Sequence, residues 1–520
     1  MLEKGLIAKD LLLVVCATVQ RIRDPAGPGD AWADESGKLV TERIFSKPST
    51  SSLQTLLLLQ RYEENRGRHL RAWLYSGLAL RIAHALQINV EHQDQPVTVR
   101  EVRRRILWSL VVTDSLTESG TRPLSGLRVH DLTVGLPCGE SDFIRSVAGP
   151  ATQVEPHNVN ESLPAYCESI GAQLVSLALL RLETVDYTFS YHPRNLGHLP
   201  SELPWDKLAK FQRLRQKLEG WRQQLPAQHS ADNTICSKST KIQILSLACL
   251  YHGASCDLFR IGAVLSSLPR THFTPPPEAF LSECARALLY HAYCIAKAIS
   301  DLSPALDYCD SYAGVCGCLA LRLLIVDRRP REQDYVPLSD PSVSWAISGT
   351  TRCVEAVARW SEPVRGYFGS ISAMCQERGY PIASHGTQEH GPDPENLSRA
   401  ASPSLRTFGT FGTVRRDLKA HAHEDDAASV PAGSDAGISP KEFPTTGLDG
   451  INRSPASFGP QEGFDAQFPL SWDPMSDDAL LTYSAWADGT YDFDAAEAFR
   501  YSDSLGLGFQ NNLYMPNGNY

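Results

Sequence analysis

The side chains best suited to chemistry are histidines and cysteines set one helical turn apart. Cys249, His252 and Cys256 stand at i, i+3 and i+7, and His291 with Cys294 repeats the first step further on. Imidazole nitrogen and thiolate sulfur are zinc ligands, and four of them on facing helices would close a tetrahedral site. The same positions interleave with Leu, Ala and Ile, and cysteine is among the most buried residue types. Packing is therefore the favoured reading, and no metal ligand is assigned. Cys316-Gly317-Cys318 is one residue short of the redox spacing Cys-x-x-Cys and lies in an apolar helical run with no strand before it, so it too reads as core.

The chain has no His-Glu-x-x-His, no Gly-x-x-x-x-Gly-Lys phosphate loop, no Gly-x-Gly-x-x-Gly and no Gly-x-Ser-x-Gly elbow. No catalytic residue is assigned, and the chain is not expected to be an enzyme. The run Arg103-Arg104-Arg105 could meet phosphate or an acidic partner. On the outer face of an amphipathic helix such a run is normally solvated or locally paired, here with Glu101 and Asp114.

What must position these residues is a succession of helices. Apolar residues recur at three- and four-residue steps over 6–22, 52–66, 68–88, 98–117, 162–190, 203–225, 239–267, 278–301, 308–328 and 342–376, with Pro and Gly at the joins. The clearest is 68–88, where Leu70, Trp73, Leu74, Gly77, Leu78, Ile82, Ala85 and Leu86 form one stripe. That stripe predicts a core-facing side, and Gly77 predicts a close helix approach. Ser51 or Ser52 is expected to cap 52–66, and Thr98 with Glu101 to form a capping box at the start of 98–117. No run alternates with strand period and no fixed-length repeat occurs. The fold class is all-α: an irregular multi-helix bundle followed by a disordered acidic C-terminal tail.

Composition bounds the function. A net charge of -10 argues against a chain that grips nucleic acid by itself, since such surfaces are normally basic. The 13 cysteines lack regular spacing, which suits free thiols in a reducing compartment. The run Leu11–Val19 is too short to span a bilayer and no other stretch reads as membrane-length, so a soluble, intracellular protein with no membrane partner is expected.

The helical period stops near residue 380. Residues 381–460 are rich in Gly, Ser, Pro and His and read as a linker. Residues 461–520 set Trp472, Leu480, Leu481, Tyr483, Trp486, Phe493 and Phe499 among acids, with almost no basic residue. Repulsion between the acids keeps such apolar side chains solvated, and they can then dock as short helices in a partner's groove. A merely unfolded tail has the same composition.

One segment carries a family resemblance. Arg71-Ala72-Trp73-Leu74-Tyr75-Ser76-Gly77-Leu78-Ala79-Leu80-Arg81-Ile82-Ala83 resembles the first signature helix of the fungal-specific transcription factor domain, the middle homology region of fungal zinc-cluster regulators. Arg103-Arg104-Arg105, Trp108, Asp114 and Arg122-Pro123 resemble its second signature, and Leu136-Pro137 with Asp142-Phe143 its closing segment. The likeness extends loosely over 6–370 and is distinctive over 52–143; Ser115 departs from it, standing where the family often has a basic residue.

The resemblance implies a nuclear transcription regulator with an all-helical regulatory domain over 1–380. Its signature residues Trp73, Gly77, Arg81, Arg104, Arg105, Trp108, Asp114, Arg122 and Pro123 would be scaffold rather than chemistry. The domain would restrain the tail, bind a small-molecule effector and form a homo- or heterodimer, while the seven tail residues contact transcription coactivators. The family's six-cysteine, two-zinc DNA-binding module has no counterpart, since Cys16 sits in an apolar helix and the next cysteine is Cys138. Zinc is therefore expected only with a module outside this chain, and DNA contact only through such a module or a partner. Two alternatives stand: a DNA-binding-deficient partner that dimerises with or sequesters a complete regulator, and a helical small-molecule sensor or enzyme with a cavity in its bundle.

Overall fold

The computed structural model describes residues 7–117, 132–146, 169–191, 202–229, 237–267, 274–326 and 338–377. Arg122, Pro123 and the tail residues Trp472 to Phe499 lie outside the described residues, as do the linker and the whole of 461–520. Among the described residues helices are the only regular elements, and no strand occurs.

Four helices open the chain: α1 (Lys9–Arg23), α2 (Gly29–Ser46), α3 (Thr50–Asn65) and α4 (His69–Ala85). Helix α1 buries Asp10, Val14, Ala17 and Arg21, a stripe at steps of four, three and four. Helix α2 has no counterpart among the expected elements. It begins just past Pro28, and its buried face is made largely of small residues, Gly29, Ala33, Ser36 and Gly37, which give almost no hydrophobic period. The hydroxyl of Ser49 accepts from the Ser52 amide and caps α3, two or three residues before the expected Ser51 or Ser52.

The turn from α3 to α4 is a Schellman motif. Gly67 adopts φ 71°, its N–H donates to the Glu64 carbonyl, and the Arg68 N–H donates to the Glu63 carbonyl. Helix α4 ends in the same way, with Gln87 at φ 50° and the Ile88 N–H on the Ala83 carbonyl.

The face of α4 is a correction. Its buried residues are His69, Ala72, Ala79, Leu80, Ile82 and Ala83; of the predicted stripe Ile82 is buried, and Leu78 and Leu86 pack partly against the core. Trp73 is 41% exposed, Leu74, Gly77 and Arg81 are exposed, and no described atom lies within 4 Å of where a Gly77 Cβ would be. Leu, Ala and Ile surround the helix on nearly every side, so periodicity could not choose which arc faces inward.

Helix α5 (Val97–Thr117) leads to a buried extended stretch, 132–138, and a short α6 (Glu140–Ile144). Then come α7 (Ile170–Phe189), α8 (Lys210–Gln224), α9 (Lys238–Phe259), α10 (Ile261–Ser267), α11 (Glu278–Leu302), α12 (Ser311–Leu321), α13 (Pro341–Ala358) and α14 (Glu362–Glu377). Two expected long helices are each split, 239–267 at Arg260 and 342–376 at Trp360-Ser361, just before Pro363. The run expected at 308–328 finishes as a π turn over Arg322–Val326.

The close approach expected at Gly77 occurs between α11 and α13 instead. A Cβ on Gly349 would stand 3.0 Å from the Ser300 Cα, and the hydroxyls of Ser300 and Thr350 donate across to Ala346 and Ala296 carbonyls at 2.7 and 3.1 Å. The stretch Lys238–Ser266, which covers α9, the break at Arg260 and most of α10, is long and apolar enough by composition to cross a membrane, contrary to the expectation that no such run exists. Its most apolar window is 72% buried inside the protein, which accounts for the composition by packing.

The first helices are tied to the last ones. The Arg21 side chain donates to the Trp360 carbonyl at 2.8 Å and the Asn65 carbonyl at 3.1 Å, and Ser361 donates to Asn65 Oδ1 at 3.1 Å. Arg61 of α3 also pairs with Asp310 at the start of α12.

Candidate functional site

The three consecutive arginines of α5 are each occupied. Arg103 donates to the Leu86 and Gln87 carbonyls at 2.9 and 2.8 Å, capping the C-terminus of α4. Arg104 grips Glu91 with two bonds of 2.9 and 2.7 Å. Arg105 pairs with Glu101 at 2.9 Å and Glu140 at 2.8 Å, and its guanidinium lies 4.1 Å from the centre of the Phe143 ring. The run is therefore neither a free phosphate contact nor a solvated face. Local pairing with Glu101 is as expected; the other expected partner, Asp114, lies on α5 with its side chain undescribed.

Glu101 is the hub. It is 2% exposed and accepts from Arg105, from the Cys138 backbone N–H at 3.0 Å and, at 3.5 Å, from Arg104. Its carboxylate thus ties α5 to the segment that follows, instead of reaching back to Thr98 as a capping box would. Two turns on, the indole N–H of Trp108 donates to the Gly135 carbonyl at 2.8 Å. Leu132, Val134 and Leu136 are buried behind it in the first core. Burial, and then the Glu101 charge, push the Cys138 thiol up to about 11, so it is an unreactive neutral thiol.

The structure therefore brings Arg104, Arg105, Trp108 and Phe143 into one clamp that pins 132–143 onto α5. It does not bring Trp73, Gly77 and Arg81 there; they share the outer face of α4. Glu91 and Glu140, which complete the clamp, were not singled out by sequence. Nothing in their local spacing marks them, because their partners lie 13 and 35 residues away.

The second place that sequence pointed to is the His–Cys set of α9 and α11. His252 and His291 meet, Nδ1 to Nδ1 at 2.9 Å, so one ring donates and the other accepts. Burial, with Arg222 nearby, pushes His291 down to about 4. Burial, then His291, hold His252 well below its usual value. Cys249, Cys256 and Cys284 are buried in apolar clusters. Among the described residues no group of three or more His, Cys, Asp or Glu side chains is placed to share a metal ion. The pair is packed within the core.

Comparison with known proteins covers the first of the two places. Residues 11–223, which contain the whole clamp, match the family model of the fungal specific transcription factor domain. Over these residues the chain is similar to the fungal specific transcription factor domain. Proteins similar to the chain include an uncharacterized transcriptional regulatory protein of Schizosaccharomyces pombe, 27% identical over 40% of this chain and 22% of its own length. A Zn(2)-C6 fungal-type transcription factor of Fusarium oxysporum is 28% identical over 30% of this chain and 19% of its own. The nitrogen assimilation transcription factor nit-4 of Neurospora crassa is 25% identical over 39% of this chain and 18% of its own. The matched part thus spans roughly a fifth of each of these relatives. No solved structure matches the chain.

The clamp lies within the matched residues, and it is built of ion pairs and hydrogen bonds that are satisfied internally. Its chemistry is to hold shape. The match ends at residue 223, whereas α9 and α11 to α14 build a further core that Arg21 and Arg61 attach to the first helices.

Proposed function

We propose that the protein regulates transcription, with residues 1–380 as its regulatory domain, 381–460 as a linker and 461–520 as an activating tail. The observation that carries this reading is the transcription factor domain at 11–223, in a chain whose last segment places aromatics and leucines among acids. The signature residues Trp73, Gly77, Arg81, Arg104, Arg105, Trp108, Asp114, Arg122 and Pro123 serve as scaffold. Trp472, Leu480, Leu481, Tyr483, Trp486, Phe493 and Phe499 dock into apolar grooves on coactivators. The helical domain sets when the tail is available, in response to a small-molecule effector or to dimerisation. The protein works in the nucleus, performs no catalysis, and meets DNA through a zinc-cluster module or a partner that bears one.

The test is a graft of residues 461–509 onto an unrelated DNA-binding domain, read by a reporter gene. Strong activation that falls when the seven apolar residues become alanine supports the tail's role. A silent graft removes the tail from the account.

A further inference from the structure

A cleft of about 330 Å³ opens between α8, α9 and α11, mostly beyond the family match. Its base is apolar: Trp221, Ile244, Leu247 and Tyr251 are buried there, with the Trp221 and Tyr251 rings nearly parallel at 19° and 5.7 Å between centroids. Tyr290, 55% exposed, and Tyr293 stand at the mouth. The volume lies at the lower end of small-molecule pockets and suits a body of one or two rings.

Its charge is asymmetric. Arg222, Lys297 and Asp301 line the cleft, and Lys297 holds Asp301 at 2.5 Å. The Arg222 guanidinium lies 5.5 Å from the Tyr251 ring centre, and no ion pair joins it to a carboxylate among the described residues. Two histidines, His229 and His252, also line the cleft, and His252 is bonded to His291. A cation is thus left at the rim of an aromatic floor. A planar guanidinium pairs with a carboxylate by two parallel bonds, and flat rings give the best contact with the stacked indole and phenol.

We propose that this cleft binds a small planar organic anion, an aromatic carboxylate, with its ring on the Trp221–Tyr251 floor and its carboxylate on Arg222. This names the chemical class of the effector in the regulatory reading and rests on that reading only for its consequence, not for binding.

The test uses the purified full chain, titrated calorimetrically and by thermal shift with benzoate and 2-naphthoate, against benzamide, 2-naphthamide and benzylamine. The carboxylates should bind saturably, at least tenfold more tightly than the amides and the amine. R222A should lose at least tenfold in carboxylate affinity while the ligand-free melting temperature stays put, because Arg222 is exposed. The proposal is overturned if none of the carboxylates binds, if amides bind equally, or if R222A binds carboxylates like the parent. A silent tail graft would leave a positive titration standing, and a negative titration would leave an active graft standing, so the two readings fail separately.

Discussion

Trp108 and Gly135 are joined by a 2.8 Å hydrogen bond from the indole N–H to the backbone carbonyl, across 27 residues of sequence. The ring is 2% exposed, so neither group has water to fall back on. Trp108→Phe keeps most of the apolar contact and orphans the carbonyl. We expect a loss of about 1–3 kcal/mol in urea unfolding, with no change in Trp108→Phe if the bond contributes nothing.

Glu101 should be the most sensitive position in the clamp. Glu101→Ala leaves Arg104 still paired with Glu91 but strips Arg105 and the Cys138 amide of their shared acceptor. Removing one partner of a buried ion pair costs about 3–5 kcal/mol. Glu101→Gln, which keeps an acceptor oxygen, should recover part of that. Chemical denaturation of both variants checks the order, and equal stability of the two would mean that charge, not hydrogen bonding, is what matters there.

Backbone conformation gives three substitutions of opposite sign. Gln87 occupies the left-handed region at φ 50° without being glycine. Gln87→Gly should stabilise by about 1 kcal/mol, and Gly67→Ala, at φ 71°, should destabilise by a similar amount. Gly77 is the converse case, mid-helix and with open space about its Cβ among the described residues. Gly77→Ala should stabilise by up to about 1 kcal/mol. A melting temperature that drops in Gly77→Ala would mean that the outer face of α4 is covered after all.

Acid should weaken the fold through the histidine pair. His291 titrates near 4 in the folded chain and near the ordinary 6.5 when unfolded, because burial and the Arg222 charge disfavour its cation. The unfolded state therefore binds more protons between pH 6.5 and 4, and stability falls as pH is lowered through that window, by up to about 3 kcal/mol for this group. His252 is displaced in the same direction and adds to the slope. Melting curves from pH 7 to 4.5 should show the fall, and it should be shallower in His291→Gln. An unchanged slope in that variant would place the acid sensitivity elsewhere.

The all-helical class, most of the helix positions and the likeness to the fungal specific transcription factor domain were legible in the chain itself. They rest on local quantities: period, capping residues, breakers and the order of signature residues around Trp73 and Trp108. Helix α2 was not legible, because Gly29, Ala33, Ser36 and Gly37 are buried for their small size and leave no apolar period. The inward arc of α4 was not legible either, since a helix apolar on several sides has no preferred face until its neighbours arrive. The tertiary structure alone decided that Arg103 caps α4, that Glu101 reaches Cys138, and that Gly349 rather than Gly77 sits at a close helix approach. Each of these depends on groups far apart in sequence. Patterns along a chain report how it coils; which partners two coiled segments offer each other is set only when they pack.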